Sequence, residues 1–299
     1  MEVTSSPDQF NYAMEGARAR VESVGFVPTM GDLHEGHALL IRTARDGCGF
    51  VAVSVFVNPL QFGSRADLDA YPRRLEKDRA MASALGADVL FAPGEAEMYP
   101  DGVPQVTVDP GPLGGRWEGA SRPGHFRGVL TVVAKLFSLA GPCRAHFGEK
   151  DAQQLALVRR MVLDLNIPVE VVACPTVRAA DGLAVSSRNG RLSSRERAAA
   201  CVLFESLSTA AALVRRGVRR SDLLRAEMAR RIGAEPLARL DYVAVVDDER
   251  WEEPSVIESP ARALVAARFG ETRLIDTLLL PWPGEGSMQN SGVASRSGR

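Results

Sequence analysis

The sequence predicts an α/β protein in which a doubly wound parallel sheet is followed by a smaller α+β domain. Short apolar runs alternate with amphipathic segments up to about residue 176, and beyond it helical patterns are followed by strand-like runs. Strands that alternate with helices are typical of a parallel sheet covered on both faces. We therefore assign residues 1–176 to the first domain and residues 177–280 to the second. Residues 281–299, rich in Gly and Ser, are predicted to be a disordered tail.

Five strands and four helices are predicted in the first domain. Nearly continuous apolar runs suit central parallel strands, and they lie at residues 24–28, 51–57, 88–92, 144–148 and 169–173. The amphipathic segments between them predict helices at residues 36–45, 75–85, 128–139 and 151–165. Ligands of such folds bind beyond the carboxyl ends of the strands. The segments that follow the strands are therefore the candidate site.

Two helices and three strands are predicted in the second domain. The helices cover residues 193–216 and 221–232, and each begins with a serine, Ser193 or Ser221, that can cap its N-terminus. The strands are predicted at residues 241–246, 263–268 and 273–279. This order, with its short connections, indicates a small α+β unit.

Composition and charge exclude several classes of protein. The formal net charge of the 299 residues is −1, which disfavours the basic surface of a nucleic-acid binder. The four cysteines are scattered without CxxC spacing, which argues against a zinc site and a disulfide framework. No apolar stretch approaches the length of a membrane span, and the N-terminus lacks the pattern of a signal peptide. We expect a cytoplasmic protein without nucleic-acid or membrane partners.

Residues 27–37, VPTMGDLHEGH, form the segment that we call the phosphate loop. A strand runs into a turn of small residues and then into a helix that begins near Glu35. Free backbone N–H groups at such a helix start bind phosphate. His34 and His37 lie three residues apart, so both imidazoles are expected on one helix face, pointing to whatever the turn holds. The alternative is a plain strand-to-helix joint with two surface histidines.

Two further segments supply groups that suit phosphate. Residues 181–190, the lid segment, contain consecutive hydroxyls and the guanidinium of Arg188, which has bidentate reach to phosphate oxygens. Its place at the predicted domain boundary suits a mobile cover. Residues 147–154 place Lys150 and Gln154 just after a strand end. Asp151 in that segment would alternatively serve only as a helix cap.

Together these segments resemble the pantothenate synthetase family. Its patterns PTMGxLHEGH, FVNPxQF, DLxxYPR, MYPxG, RPGHFRGVxTVVxKL, FGEKDxQQ and ADGLAxSSRN occur in order, at residues 27–37, 56–62, 67–73, 98–102, 122–136, 147–154 and 180–189. Several long ordered motifs are far more specific than an isolated HxGH pattern. The similarity covers roughly residues 20 to 190, with weaker agreement to about residue 280.

The resemblance implies a fold, a reaction and an assembly. The fold is the Rossmann-like sheet of the HxGH nucleotidylyltransferase superfamily with a smaller C-terminal domain, in a homodimer. The reaction is the ATP-dependent condensation of pantoate with β-alanine through a pantoyl adenylate, releasing pyrophosphate and AMP. Mg²⁺ is expected to arrive with the phosphates of ATP rather than at a dedicated metal site.

The resemblance also implies roles for particular residues. The groups that act on the reacting phosphates are expected to be His34, His37, Lys150, Ser186, Ser187 and Arg188, with His37 as a proton donor. The same residues also bind ATP, together with Met30, Gly31, Gly148, Glu149, Asp151, Val177 and Val185. Pantoate is expected to bind Gln61 and Gln154, with Asn58, Tyr71, Arg122 and His125 at further pocket positions.

The chain departs from the family pattern at a few positions. Asp32 stands where the family commonly has a small or uncharged residue, which puts the identity of the acid in question. Val185 replaces the usual Met of the lid segment. Lys77 occupies a position that is often acidic, which leaves Asp78 as a possible Mg²⁺ contact.

Three alternatives remain open from the sequence. A specialised paralogue would form an amide from another hydroxy acid or amine, and Asp32 favours that reading. A nucleotidylyltransferase would keep the nucleotide on its product, but it would need cations where the chain has Gln61 and Gln154. A nucleotide-binding scaffold without activity is disfavoured by the intact set of His34, His37 and lid residues.

Overall fold

The computed structural model describes residues 1–21 and 23–282, so almost all of the predicted tail lies outside the described residues. The chain divides into two compact units, of which the first is Met1–Arg197 and the second begins at Ala198. Each unit is described separately below.

A parallel sheet of six strands forms the centre of the first unit, in the order β1-β4-β3-β2-β5-β6, with every neighbouring pair parallel. This confirms the predicted fold class. The strands are β1 (Glu2–Thr4), β2 (Val24–Thr29), β3 (Phe50–Val55), β4 (Val89–Phe91), β5 (Cys143–Gly148) and β6 (Val169–Cys174).

Helices cover both faces of this sheet. The helices that contact its strands are α1 (Pro7–Arg18), α2 (Glu35–Gly47), α4 (Leu75–Ala84), α7 (His125–Ala140) and α8 (Ala152–Asp164). The other helices up to residue 199 are α3 (Arg65–Asp69), α5 (Glu95–Met98), α6 (Glu118–Ser121) and α9 (Ser194–Ala199), of which α9 contains the boundary between the two units. The side chains of a strand alternate between two apolar clusters: Phe26 packs with α1 and α7, whereas Val27 packs with α2. Burial on both faces explains why the strands are continuous apolar runs in the sequence.

The first strand and helix were not predicted. Strand β1 has three residues, of which two are exposed, so it lacks an apolar pattern. It joins the sheet through its main chain beside β4. Helix α1 begins after Ser6, whose hydroxyl accepts the N–H of Gln9, and it buries Phe10 against Phe91 with stacked rings 4.5 Å apart.

The second unit contains two helices and an antiparallel sheet in the order β7-β8-β9. Its elements are α10 (Val202–Arg215), α11 (Ser221–Gly233), β7 (Ala238–Asp247), β8 (Ala261–Phe269) and β9 (Thr272–Leu279). The predicted helix at 193–216 is broken into α9 and α10. Ser193 caps α9 as predicted, exchanging hydrogen bonds with Glu196. The cap prediction for Ser221 is wrong, because this serine lies inside α11 and Arg220 takes the cap position.

The boundary between the units falls later than the sequence pattern placed it. Residues 177–191 belong to the first unit, although the change of pattern had suggested a boundary after residue 176. Hydrogen bonds tie this segment to the first sheet's loops: Arg191 donates to the carbonyl of Ala70 at 3.1 Å, and Tyr71 bonds the hydroxyl of Ser187.

One helical stretch in the described residues, Ser194–Arg215, is long and apolar enough by composition to cross a membrane. The expectation that no stretch approaches that length is therefore corrected. The apolar residues of α10 that explain this composition include Leu203 and Leu207, which are fully buried. Helix α10 contacts α11, β8 and β9, so its apolar face forms the core of the second unit.

Candidate active site

A cleft of about 210 Å³ opens in the first unit, where the segments that follow β2 and β5 meet. Its apolar wall comes from Phe56, Val129, Val132, Val133, Leu136 and Phe147. Met30 also lines the cleft, and the polar side chains of the lining come from segments that are distant in the sequence: Thr29, His34, His37, Gln61, Tyr71, Arg122, His125, Lys150, Asp151, Gln154, Ser186, Ser187 and Arg188. The predicted site residues are thus largely brought together.

A tight left-handed turn shapes the phosphate loop. Gly31 has φ +84° and Asp32 has φ +49°. A side chain at Gly31 is excluded twice, because its Cβ would lie 2.8 Å from Val55 Cγ1 and the positive φ favours glycine. The carboxylate of Asp78 accepts the N–H groups of Asp32 at 2.9 Å and Leu33 at 2.7 Å. The turn is therefore held by a carboxylate from α4.

The side chains of the two histidines of the loop accept backbone N–H groups at the start of α2 and so cap this helix. His34 Nδ1 accepts the N–H of Gly36 at 3.1 Å, and His37 Nδ1 accepts the N–H of His34 at 3.3 Å. The rings stack with their centroids 4.1 Å apart. A neutral imidazole whose Nδ1 accepts a hydrogen bond carries its proton on Nε2. Both rings are therefore held as Nε2–H donors.

Four backbone N–H groups of this turn already have hydrogen-bond partners, so the prediction that its free amides bind phosphate is narrowed to the amides that remain, such as that of Glu35. The amides of Asp32 and Leu33 donate to Asp78, and those of His34 and Gly36 donate to the two imidazoles. The sequence could not show this because a carboxylate 46 residues away occupies the turn. The Nε2–H groups of the two histidines are further donors, each polarised by an amide at the helix N-terminus.

Both imidazoles are neutral near pH 7. Burial, and to a smaller extent the neighbouring His34, lower the pKa of His37 to about 3. Burial and the positive charge of Lys150 lower the pKa of His34. A neutral ring donates a hydrogen bond but holds no spare proton to give. This geometry supports hydrogen-bond donation by His37 rather than the proton donation that the resemblance implied.

We expect the free energy of unfolding to fall as the pH is lowered from about 6.5 toward 4. A histidine whose folded pKa is depressed binds a proton in the unfolded chain first, so acid favours unfolding between the two pKa values, by at most about 1.4 kcal/mol per pH unit and group. Burial and Arg122 also lower the pKa of His125 to about 4. Urea unfolding across this range measures the slope. In His37→Asn the slope should be shallower, and an unchanged slope would contradict the assignment.

Lys150 and Asp151 also line the cleft, on a short turn that follows β5. The Lys150 side chain is 15% exposed, and its Nζ lies 3.9 Å from Asp151 Oδ1. Burial acts to raise the pKa of Asp151, but the charges of Lys150 and Arg188 outweigh it, and the pKa is lowered. Asp151 occupies the cap position of α8 without a side-chain cap bond. The helix-cap alternative for this residue is therefore not supported.

Gln61 is held in place by buried neighbours. Asn58, which is 1% exposed, donates to Gln61 Oε1 at 3.0 Å and to the carbonyl of Gly128 at 3.1 Å, while it accepts from the Tyr99 hydroxyl. Gln61 Nε2 lies 2.9 Å from the sulfur of Met30. These bonds fix which end of the Gln61 amide faces the cleft. Asn58 itself does not line the cleft, so the structure supports a positioning role and not the predicted substrate contact.

Arg122 and His125 form the floor beside Gln61. His125 Nδ1 lies 2.9 Å from the carbonyl of Gln61, and its Nε2 lies 3.0 Å from an Arg122 guanidinium nitrogen. The guanidinium can only donate, so Nε2 is the acceptor and Nδ1–H donates to the carbonyl. Arg122 also pairs with the buried Glu118 at 3.4 Å. This places a fixed positive group at the cleft.

The lid segment lies across the cleft in this structure. Its start is closed by a bridge between Arg178 and Ala184, and the N–H of Val185 donates to the carbonyl of Val177 at 2.9 Å. The hydroxyl of Ser186 accepts the N–H of Arg188 at 3.3 Å. Val185, Ser186, Ser187 and Arg188 all line the cleft.

Some of the predicted site residues are not among those that line the cleft: Gly31, Asn58, Asp78, Gly148, Glu149 and Val177. The sequence reasoning did not assign the apolar wall of α7 to the site. Its signal is the nearly uninterrupted apolar stretch from Val129 to Leu136, which the alternation of strands and helices explained as core alone.

The unusual Asp32 does not face the cleft. Its carboxylate lies 3.5 Å from Lys77 Nζ and 3.7 Å from an Arg74 nitrogen. The two departures from the family pattern, Asp32 and Lys77, are therefore partners. This geometry removes the structural reason for expecting another acid substrate.

The residues present do not form a protein metal site. Among residues 1–21 and 23–282, no group of three or more His, Cys, Asp or Glu side chains is arranged to hold a metal ion. Both oxygens of Asp78 already accept loop amides. Asp78 thus has a structural role and its possible Mg²⁺ contact stays a prediction, while the donor set fits a metal only if phosphates supply most of its ligands.

Residues 2–279 match the model of the family described as Pantoate-beta-alanine ligase. A pantothenate synthetase from Roseiflexus castenholzii is 53% identical over 268 residues, covering 90% of this chain and 94% of that protein. One from Nocardioides sp. is 56% identical over 276 residues, covering 89% of this chain and 81% of that protein.

Solved structures agree with these matches. A crystal structure of pantothenate synthetase from Thermus thermophilus has a TM-score of 0.88 at 50% identity, covering 94% of this chain and all of that one. A pantoate-beta-alanine ligase from Francisella tularensis, complexed with beta-gamma ATP and beta-alanine, has a TM-score of 0.76 at 34% identity, covering 93% of this chain and 97% of that one.

Proposed function

Because the chain belongs to the pantoate–β-alanine ligase family, we propose that its cleft activates pantoate as an adenylate and passes the acyl group to β-alanine. The enzyme is an ATP-dependent ligase of pantoate and β-alanine. The observation that carries the proposed course of the reaction is that two Nε2–H donors, those of His34 and His37, line the same cleft as Lys150. Such an arrangement suits charge that develops on a phosphoryl group.

In the first step a carboxylate oxygen of pantoate attacks the α-phosphorus of ATP. The bond from that phosphorus to the bridging oxygen breaks, and pyrophosphate leaves with the electron pair. His34 and His37 donate to phosphate oxygens without adding charge, while Lys150 and Arg188 supply positive charge. These donors are positioned before the substrate arrives, because backbone amides and Asp78 fix them.

Pantoate is proposed to bind between Gln61 and Gln154, above the apolar wall of α7. Both amides line the cleft beside methyl-bearing side chains such as Val132 and Val133. An amide binds the hydroxyls and carboxylate of pantoate without placing a further charge beside the reacting carboxylate. The apolar wall suits a branched carbon skeleton and excludes water from the adenylate.

In the second step the nitrogen of β-alanine attacks the acyl carbon. The bond from that carbon to the adenylate oxygen breaks, AMP leaves, and the amine loses a proton. The complex of the Francisella relative with beta-gamma ATP and beta-alanine supports this pair of substrates. We propose that the guanidinium of Arg122, which is held in place by its hydrogen bond to His125, binds the carboxylate of β-alanine.

The lid segment is proposed to be ordered further by nucleotide. Ser186, Ser187 and Arg188 present donors to the cleft, and phosphate adds hydrogen bonds that the free protein lacks. We expect amide exchange of residues 181–190 to slow severalfold when a nonhydrolysable ATP analogue binds. Strand β8 of the second unit is the internal control and should not change. Exchange of the lid segment that stays constant at saturating analogue would count against a lid.

Three further properties are proposed on the family resemblance. The Mg²⁺ that the reaction needs is proposed to be carried by the phosphates of ATP. The enzyme is proposed to work in the cytoplasm and as a homodimer. Analytical ultracentrifugation tests the dimer directly.

Product analysis tests the proposed function. The enzyme is incubated with ATP, Mg²⁺, β-alanine and pantoate labelled with ¹⁸O in its carboxylate. The expected products are pantothenate, pyrophosphate and AMP that carries one ¹⁸O atom, because the attacking oxygen stays on phosphorus. AMP without the label would reject the acyl adenylate. A product that retains the nucleotide would point to a nucleotidylyltransferase, and a preference for another amine would point to a specialised paralogue.

A further inference from the structure

Residues at the start of α4 form hydrogen bonds and ion pairs with the phosphate loop. Asp78 accepts the amides of Asp32 and Leu33, while Lys77 and Arg74 lie 3.5 and 3.7 Å from the Asp32 carboxylate. Residue 32 is thus held twice, through its backbone N–H and through its side chain. The start of α4 therefore contacts residue 32 in two ways. The carboxylate of Asp78 accepts its backbone N–H, and the cations Lys77 and Arg74 pair with its side-chain carboxylate.

Residue 32 needs such support because of its backbone. Asp32 adopts φ +49°, which is uncommon for residues other than glycine although Asp and Asn tolerate it. The Asp32 side chain is 10% exposed, so its carboxylate is largely withdrawn from water. Carboxylates in that position are stabilised by paired cations. Lys77 and Arg74 are 47% and 62% exposed, so they can supply this charge at little cost in desolvation.

We propose that Asp32, Lys77 and Arg74 form a charge clamp that holds the left-handed turn of the phosphate loop and thereby positions His34 for the proposed reaction. These are positioning residues, since none of them lines the cleft. The clamp acts through the chain: Leu33 is bonded to Asp78, and the next residue is His34, whose N–H sets the tautomer of His37. The expected effect of the clamp on kcat rests on the proposed function, whereas its expected effect on the stability of the turn does not.

The charges of the clamp reach the catalytic histidines. Lys77 acts to lower the pKa of His34 and Asp32 acts to raise it. The two residues of this ion pair therefore have opposite effects on the pKa of the same histidine. An unpaired Asp32 beside the phosphates would repel ATP, and Lys77 offsets that repulsion. This explains in physical terms why an acidic residue is tolerated one step from the phosphate loop's glycine.

Amide exchange tests the structural claim without any substrate. Asp32→Asn removes the charge but keeps a residue that tolerates positive φ, and Lys77→Met keeps the length of the side chain. We expect exchange at Leu33 to become about 2- to 5-fold faster in each variant, the range for ion pairs with exposed partners. Adding Lys77→Met to Asp32→Asn should change little, because the partners act together. Additive effects, or none, would overturn the clamp.

A matched control lies on the same helix. Arg79 and Glu76 form an exposed pair 3.6 Å apart on α4 and make no contact with the loop, so Arg79→Met changes the same kind of charge. Exchange at Leu33 should stay at the wild-type rate in this variant. A faster rate there would show that any charge lost from α4 loosens the loop, and the clamp would be rejected.

Kinetics separate the clamp from a role in substrate choice. The kcat for pantoate-dependent exchange of pyrophosphate into ATP should fall about 2- to 5-fold in Asp32→Asn, with an unchanged KM for pantoate. A raised KM for pantoate, or a new preference among hydroxy acids, would make Asp32 a specificity residue and overturn the proposal. Wild-type enzyme that lacks the exchange would refute the proposed function, whereas the amide-exchange result would still decide the clamp.

Discussion

Replacing His37 by Ala is expected to lower kcat about 100-fold or more, with little change in ATP binding. A backbone amide holds the His37 ring in the cleft, where we propose that charge develops, and removing one such donor costs on the order of 10²- to 10³-fold. A contact that strengthens in the transition state affects kcat more than ground-state binding. Steady-state kinetics and a separate ATP-binding measurement check both parts.

Two substitutions separate the two roles of His37, which are the donation of a hydrogen bond by Nε2–H and the capping of α2 by Nδ1. In His37→Asn the side-chain oxygen can still accept the N–H of His34, so stability should approach that of the wild type while kcat stays as low as in His37→Ala. In His37→Gln the amide nitrogen can reach toward the position of Nε2 and should restore kcat by about 10-fold over Asn. Turnover near the wild-type rate in His37→Asn would remove this histidine from the catalytic set.

Replacing Lys150 by Met is expected to lower kcat/KM for ATP by about 100-fold. The substitution keeps most of the length of the side chain but removes the positive charge that lies in the cleft. Since Lys150 acts to lower the pKa values of both His34 and Asp151, both should rise in the variant. NMR titration of these two groups gives a readout that does not depend on activity.

Lys135 provides the matched control for this charge. Its ammonium lies 5.7 Å from the ring centroid of Tyr99 and does not line the cleft. Lys135→Met should keep kcat/KM for ATP within about 2-fold of the wild type, as is usual for substitutions away from a site. Equal losses in the two variants would mean that net charge, and not the position of Lys150, determines the rate.

The central strands and the phosphate loop were predictable from the sequence because their signals are local. Val24–Thr29 and Phe50–Val55 are buried on both faces of the sheet, so each is a continuous apolar run. His34 and His37 lie three residues apart, and the start of α2 brings their rings into a stack. The roles of Gln61 and Gln154 came from the family resemblance, since a single polar residue at the end or start of a helix carries no such local signal.

Long-range contacts could not be predicted from one sequence. The carboxylate of Asp78 fills the turn at Asp32 and Leu33 from the start of another helix, and it takes the amides that the sequence alone assigns to phosphate. Asp32 and Lys77 each depart from the family pattern, and the two departures are explained only by the ion pair that the residues form in the folded chain. Strand β1 was missed because it is short, mostly exposed and bonded through its main chain.

The most direct test of the proposed chemistry is the exchange of labelled pyrophosphate into ATP. If pantoate attacks the α-phosphorus first, exchange requires pantoate and Mg²⁺ but not β-alanine, and later addition of β-alanine releases AMP. Exchange that appears only when β-alanine is present would contradict the adenylate. Exchange with another hydroxy acid but not with pantoate would contradict the assigned substrate while keeping the class of reaction.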